Sequence, residues 1–165
     1  MPRPFLIVPD KRLRTTAAPI AGIDDEIRAL WDEMLAAMYA MPGVGLAAPQ
    51  IGVSRRVIVV DASPTSQSPL RMANPELLEV SQALNTHSEG SPNLPGLWAD
   101  VTRPATVRVR FLDPNSDVVE REFTGLWATS VQHQIDHLNG KLFIDRIGPV
   151  KRRMLLAKHA KARRG

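Results

Sequence analysis

The 165-residue chain contains no cysteine, which excludes disulfide scaffolds, cysteine-ligated zinc, iron–sulfur clusters and thiol nucleophiles. Long hydrophobic runs are missing too. No window approaches the roughly 18 apolar residues of a membrane span. The N-terminal run Phe5–Val8 stops at Pro9 and Asp10, too short for a secretory signal core. A cytoplasmic protein without membrane contact is the expectation. The last fifteen residues lack any acid but hold seven lysines and arginines. Subtracting those seven from the formal charge of +4 leaves the first 150 residues at −3, so the pI near 10.0 describes a tail. Such a tail suits contact with RNA or another polyanion, or simply a solvated helix face. At 18.2 kDa, with 44% apolar and 23% charged residues, the chain has the makings of one domain with a real core.

Residues 1–23 are proline-rich and aperiodic apart from Leu6-Ile7-Val8, and they read as an extended arm. Asp24-Asp25-Glu26 opens a helix with acids in its first turn. Ile27, Leu30, Trp31, Met34, Leu35 and Met38 then recur on one face until Pro42 and Gly43. Val57–Val60 is a buried strand. Short β segments follow near 71–74, 77–80, 98–102, 107–112 and 118–123, the last two joined by the turn Asp113–Ser116. A second amphipathic helix runs over 126–138 to the C-cap pair Asn139-Gly140, and Leu142–Ile144 is a short apolar segment. Pro149 opens a third helix. This order predicts an α+β fold with one domain over 1–150 and a basic C-terminal helix over 151–165.

Three segments carry chemistry. His133 and His137 stand four residues apart on the second helix, the spacing at which two imidazoles share a metal ion or merely stack inside a structural helix. The metal-hydrolase form of this motif has a glutamate after the first histidine, whereas Gln134 has an amide that cannot act as an ordinary base. Gly43 to Gly52 places two glycines at alternate positions, suited to a strand that another backbone approaches, or to a turn. Glu89 to Gly96 by itself reads as a turn.

Together and in this order, these segments resemble the three motifs of the peptide deformylase family. Gly43-Val44-Gly45-Leu46-Ala47-Ala48-Pro49-Gln50 matches Gly-x-Gly-x-Ala-Ala-x-Gln throughout. Glu89-Gly90-Ser91-Pro92-Asn93 stands where the family has Glu-Gly-Cys-Leu-Ser, and Gln132 to His137 where it has Gln-His-Glu-x-Asp-His. The resemblance spans nearly the whole chain and implies mixed or antiparallel sheets around a central helix bearing the histidines, plus a C-terminal helix. It also implies removal of the formyl group from N-formylmethionyl peptides by a divalent metal: iron, nickel or zinc. The metal positions fall on His133, His137 and Ser91, the general-base position on Gln134 and the oxyanion position on Gln50. The cleft wall falls on Val44, Gly45, Pro92, Leu94, Thr129 and Ser130, the last two lending polarity to the methionine pocket.

Three departures coincide. Ser91 is a neutral hydroxyl where the family has a thiolate, Gln134 an amide where it has a base, and Pro92 lacks the backbone N–H that would help hold an oxyanion. Loss of a base typically costs about 10²–10⁴ in rate, and loss of an oxyanion donor about 10²–10³. The expectation is a deformylase-like protein that keeps the cleft for a peptide N-terminus or small ligand, with little or no hydrolysis. An active or altered-specificity metal hydrolase and a ribosome- or RNA-binding protein acting through 151–165 are the alternatives. On a strand, residues 87, 89 and 91 would share one face, which makes His87 and Glu89 the candidates for a borrowed third ligand; otherwise His87 is a surface or hydrogen-bonded histidine and Glu89 structural. Asp136 is expected to be structural, with Arg103 as its partner.

Overall fold

A computed structural model describes residues 2–165. Helix α1, Asp25–Ala40, starts at Asp24, whose side chain accepts from the Ile27 N–H at 2.9 Å. The acids Asp25 and Glu26 occupy its first turn, and the Gly43 N–H donates to Met38 O at 2.8 Å just past its end. Its six periodic apolar residues are all buried, as the spacing predicts.

An antiparallel five-stranded sheet forms from β1 (Gly45–Ala47), β2 (Val57–Val60), β3 (Leu70–Val80), β6 (Thr106–Leu112) and β7 (Val118–Thr124), adjacent in that order. Strands β4 (Leu84–Ser91) and β5 (Leu94–Pro104) make a separate antiparallel hairpin. Helix α2, Gly125–Leu138, lies on one face of the large sheet and α1 on the other. Strand β2 shows why: Val57 and Val59 pack with α1, whereas Ile58 and Val60 pack with α2. A strand covered on both faces reads as an unbroken apolar run. A third cluster joins the arm (Leu6, Val8, Leu13), β5, the turn Leu142–Ile144 and Leu155 of helix α3, Pro149–Arg164.

The observed elements depart from the sequence reading at four places. The segments 71–74 and 77–80 are one strand, β3, broken only by register shifts after Ala73 and after Leu77. Asn74 sits there at φ +49°, and its side-chain amide both donates to and accepts from the Ile20 backbone at 2.9 Å. Pro75 is tolerated because a bulge leaves no ladder bond for it to make. Strand β4 has no apolar alternation, and only Glu89 of its eight residues is fully buried. Its pairing with β5, from Leu84↔Pro104 to Ser91↔Leu94, makes it a strand. The arm is not extended throughout, since Lys11–Arg14 form a 3-10 turn with Leu13 inside the core. Phe143–Arg146 form another such turn where an apolar segment was read.

The C-cap of α2 is set by Gly140 at φ +72°. A Cβ there would lie 2.5 Å from Arg14 O, so both conformation and space demand glycine. Among the described residues no helix is long and apolar enough to cross a membrane.

Candidate metal-site cleft

Helix α2 is the centre of the molecule, and every residue from Ala128 to Leu138 is buried. Seven of those eleven are polar, because the helix is enclosed by the sheet on one side and the β4–β5 hairpin on the other. Buried polar groups need partners, and β4 and β5 supply them. Arg103 of β5, 3% exposed, donates to both oxygens of Glu89 at 2.7 and 2.9 Å and to Asp136 Oδ2 at 2.9 Å. Arg146 closes on Asp136 from the other side at 2.7 Å. The expected Asp136–Arg103 pair is therefore present, with Glu89 as the second carboxylate on the same guanidinium.

Glu89 Oε1 also receives His133 Nδ1 at 2.8 Å. Burial would raise the Glu89 carboxyl, but the hydrogen bonds from His133 and Arg103 outweigh it and hold the carboxyl down at about 2. A nitrogen bonded to an ionised carboxylate is the one carrying hydrogen, so His133 turns Nε2 toward the cleft. That Nε2 lies 3.1 Å from His137 Nε2. Complete burial, with the His133 ring and the guanidinium groups of Arg103 and Arg14 nearby, drives His137 well below the ordinary imidazole value, so it is neutral at pH 7. Phe143 stacks on His133 with ring centroids 6.3 Å apart.

These two nitrogens suit a divalent ion. Two imidazoles on one tetrahedral ion, each bonded at about 2.0–2.1 Å, hold their nitrogens about 3.3 Å apart. The third donor does not suit it. Ser91 Oγ donates to Asn93 Oδ1 at 2.9 Å and accepts from the Asn93 N–H at 3.3 Å and from Gln50 Nε2 at 3.4 Å. Its proton is committed, and the oxygen is a neutral, already-bonded hydroxyl. Neither borrowed ligand replaces it. Glu89 is engaged on the far side of the His133 ring, and His87 Nδ1 pairs with Thr129 Oγ1 at 2.9 Å. Among the described residues no group of three His, Cys, Asp or Glu is placed to hold a metal ion. The donor set does not fit a three-ligand centre.

Gln50, at the oxyanion position, is 1% exposed and fully used. Its Oε1 accepts from the Ala47 N–H at 2.9 Å, and its Nε2 donates to Asn93 Oδ1 at 2.8 Å as well as to Ser91. Asn93 is the hub, since its own Nδ2 donates to Leu6 O at 2.5 Å and Gln50 O at 3.2 Å, tying arm, first motif and hairpin together. Sequence reading passed over it; a buried Asn two residues beyond the ligand position, followed by Leu-Pro-Gly, carried no pattern to flag it.

A cleft of about 360 Å³ opens over these groups. Of the candidate site residues, Val44, Gly45, Gln50, Ser91, Pro92, Thr129, Ser130, His133 and Gln134 line it. Leu94 does not. It is 1% exposed within the arm–β5–α3 cluster, because the first residue of β5 turns inward to the core. His137, 1% exposed, does not line the cleft and lies behind His133, Nε2 to Nε2. Gly45 admits α2: a Cβ there would lie 2.4 Å from Ser130 Oγ and 2.5 Å from Gln134 Nε2. Among the described residues Gln134 Oε1 has no partner.

The Polypeptide deformylase family model matches residues 2–153, nearly all of this chain. The chain belongs to the peptide deformylase family. Members of this family are metal-dependent hydrolases. A peptide deformylase of Methylocella silvestris is 48% identical over 97% of this chain and 84% of its own length, and one of Cellvibrio japonicus is 44% identical over 94% and 92%. Among solved structures, the peptide deformylase of Legionella pneumophila superposes with a TM-score of 0.92 at 39% identity, covering 99% of this chain and 96% of that one. The Ehrlichia chaffeensis enzyme in complex with actinonin gives 0.93 at 32% identity, covering 99% and 98%. The fold expected from the motifs is therefore the observed one: antiparallel sheets around the histidine-bearing helix, with a C-terminal helix.

Proposed function

We propose that this deformylase-family protein uses its cleft to bind a peptide N-terminus or a similar small ligand, with little or no removal of a formyl group. One observation carries the reading: the third corner of the site is a hydroxyl whose proton is donated to Asn93, not a thiolate. A hydroxyl is a weak ligand, and two imidazoles alone hold a divalent ion weakly. Two further features support it. Gln134 offers an amide where proton transfer needs a base, and Pro92 offers no N–H while Gln50 spends both of its own on Asn93 and Ser91. A volume of about 360 Å³ is enough for a small peptide end.

The competing reading is a working metal hydrolase, favoured by the 3.1 Å approach of the two Nε2 atoms. The test is deformylation of a formyl-Met tripeptide by anaerobically purified protein supplied with Fe²⁺, Ni²⁺ or Zn²⁺, with bound metal measured in parallel. The expected result is substoichiometric metal and no turnover above the protein-free control. Turnover within the ordinary enzyme range of about 1–10³ s⁻¹ would overturn the reading.

A further inference from the structure

The contact between His87 and Thr129 repeats the contact between Glu89 and His133, one rung along. On β4 the two anchors are two residues apart, about 6.7 Å along a strand. On α2 their partners are four residues apart, about 6.0 Å along a helix. Strand and helix are thus in register across two successive rungs, each 2.8–2.9 Å long. Thr129 lines the cleft, is 5% exposed, and has its hydroxyl partnered by His87. Beside it, Ser130 Oγ donates to Val44 O at 3.0 Å and keeps its lone pairs. In either tautomer of His87, Thr129 Oγ1 keeps hydrogen-bonding capacity: two acceptor lone pairs if it donates to Nδ1, its own O–H and one lone pair if Nδ1 carries the hydrogen.

Polar and apolar groups are segregated in this cleft. Met41, Leu97, Trp98 and Leu126 form an apolar mouth, and Trp98 is 63% exposed there. The buried wall is Thr129, Ser130, His133 and Gln134. On the reading that the cleft takes a peptide N-terminus, the first side chain is the one that would meet this wall.

We propose that the Thr129–Ser130 turn, braced by His87, makes the cleft select a short, neutral, hydrogen-bonding first side chain over an apolar one of equal size. This rests on the reading that the cleft takes a peptide N-terminus. Asparagine is the type ligand: its amide both donates and accepts, so it pairs with either orientation of the Thr129 hydroxyl. A charged side chain is disfavoured by the burial of the wall.

The test measures calorimetric and tryptophan-fluorescence binding of N-formyl-X-Ala-Ser peptides, X being Asn, Leu or Met, to the full chain. Asn and Leu match in shape and differ in polarity. The expected result is Asn tighter than Leu and Met by about tenfold, of the order expected for one net hydrogen bond. Thr129→Val should abolish that preference and Thr129→Ser restore it, with thermal melts confirming that both fold. Leu or Met binding as tightly as Asn overturns the selectivity while leaving a peptide-binding cleft. A preference for Asn that survives Thr129→Val overturns the assignment to this wall. Absence of binding by all three peptides overturns the selectivity and the peptide-binding reading together.

Discussion

Single atoms decide the chemistry of this site. A thiolate replaced by a hydroxyl changes both charge and softness, and here the hydroxyl proton has an acceptor, Asn93 Oδ1, at 2.9 Å. Restoring the family residues with Ser91→Cys, Pro92→Leu and Gln134→Glu together should raise both bound metal and formyl-Met tripeptide turnover. Gln134→Glu alone should raise neither, because a base without a held metal has no water to activate. Metal analysis beside the assay distinguishes the two failures. Arg103 is the residue on which the scaffold of the site depends. Replacing it by Met leaves Glu89 and Asp136 buried without their shared cation, which costs about 3–5 kcal/mol in such cases. Urea denaturation of Arg103→Met should show a loss of that order, with His133 no longer held by an ionised, fixed carboxylate.

At the scale of elements, the motifs work because caps and turns hold them. Asp145 accepts from Arg14 and from the Leu142 N–H at 2.9 Å, joining the arm to the turn after α2. Burial raises its carboxyl, but the bonds from Arg14 and Leu142 outweigh that and leave it below the ordinary 3.8. A carboxyl lowered on folding adds stability above its unfolded value, and that stability disappears as pH falls through the folded value. Asp145→Asn should therefore lower the urea midpoint at neutral pH, and the gap to wild type should close progressively below pH 3.8. Partial exposure of both partners keeps the effect modest. Gly140→Ala should be harsher, about 1–3 kcal/mol, since it strains a positive φ and meets Arg14 O. Thermal melts would register it without any change in the cleft.

Across the whole molecule, charge is split between a mildly acidic body and a basic α3. That helix is docked by Leu155 and by His159, whose Nε2 meets Val8 O at 2.7 Å. Lys151, Arg153, Lys158, Lys161, Arg163 and Arg164 all remain exposed. We propose that this face contacts a polyanion such as ribosomal RNA. Because Lys158, Lys161, Arg163 and Arg164 are exposed, changing them to Glu leaves the docking residues intact. Ribosome binding by wild type should weaken steeply with salt, and the charge-reversed variant should lose it at all salt concentrations. Binding equal to wild type in the variant would assign the contact elsewhere.

Much of this molecule was legible in one dimension. Helix α1, strand β2, the β6–β7 hairpin and helix α2 follow from local signals, namely acids at a helix start, apolar spacing and turn residues, which act over a few neighbours. The histidine pair was legible for the same reason, since covalent spacing along one helix places His133 and His137 together whatever surrounds them, whereas the other two motifs were read from the family resemblance. Strand β4 was not legible, because a polar strand becomes one only when a partner completes its ladder. Leu94 was misplaced, because the inward or outward turn of a residue is set by what packs beside it. The Asn93 hub and the His87–Thr129 rung join residues 87 and 42 positions apart, Asn93 to Leu6 and Thr129 to His87. The sequence determined which donors the site has and which it lacks. Only the tertiary structure decided where the Ser91 proton goes and which face of α2 meets a ligand, because hydrogen bonds among buried groups are settled by the neighbours that folding brings.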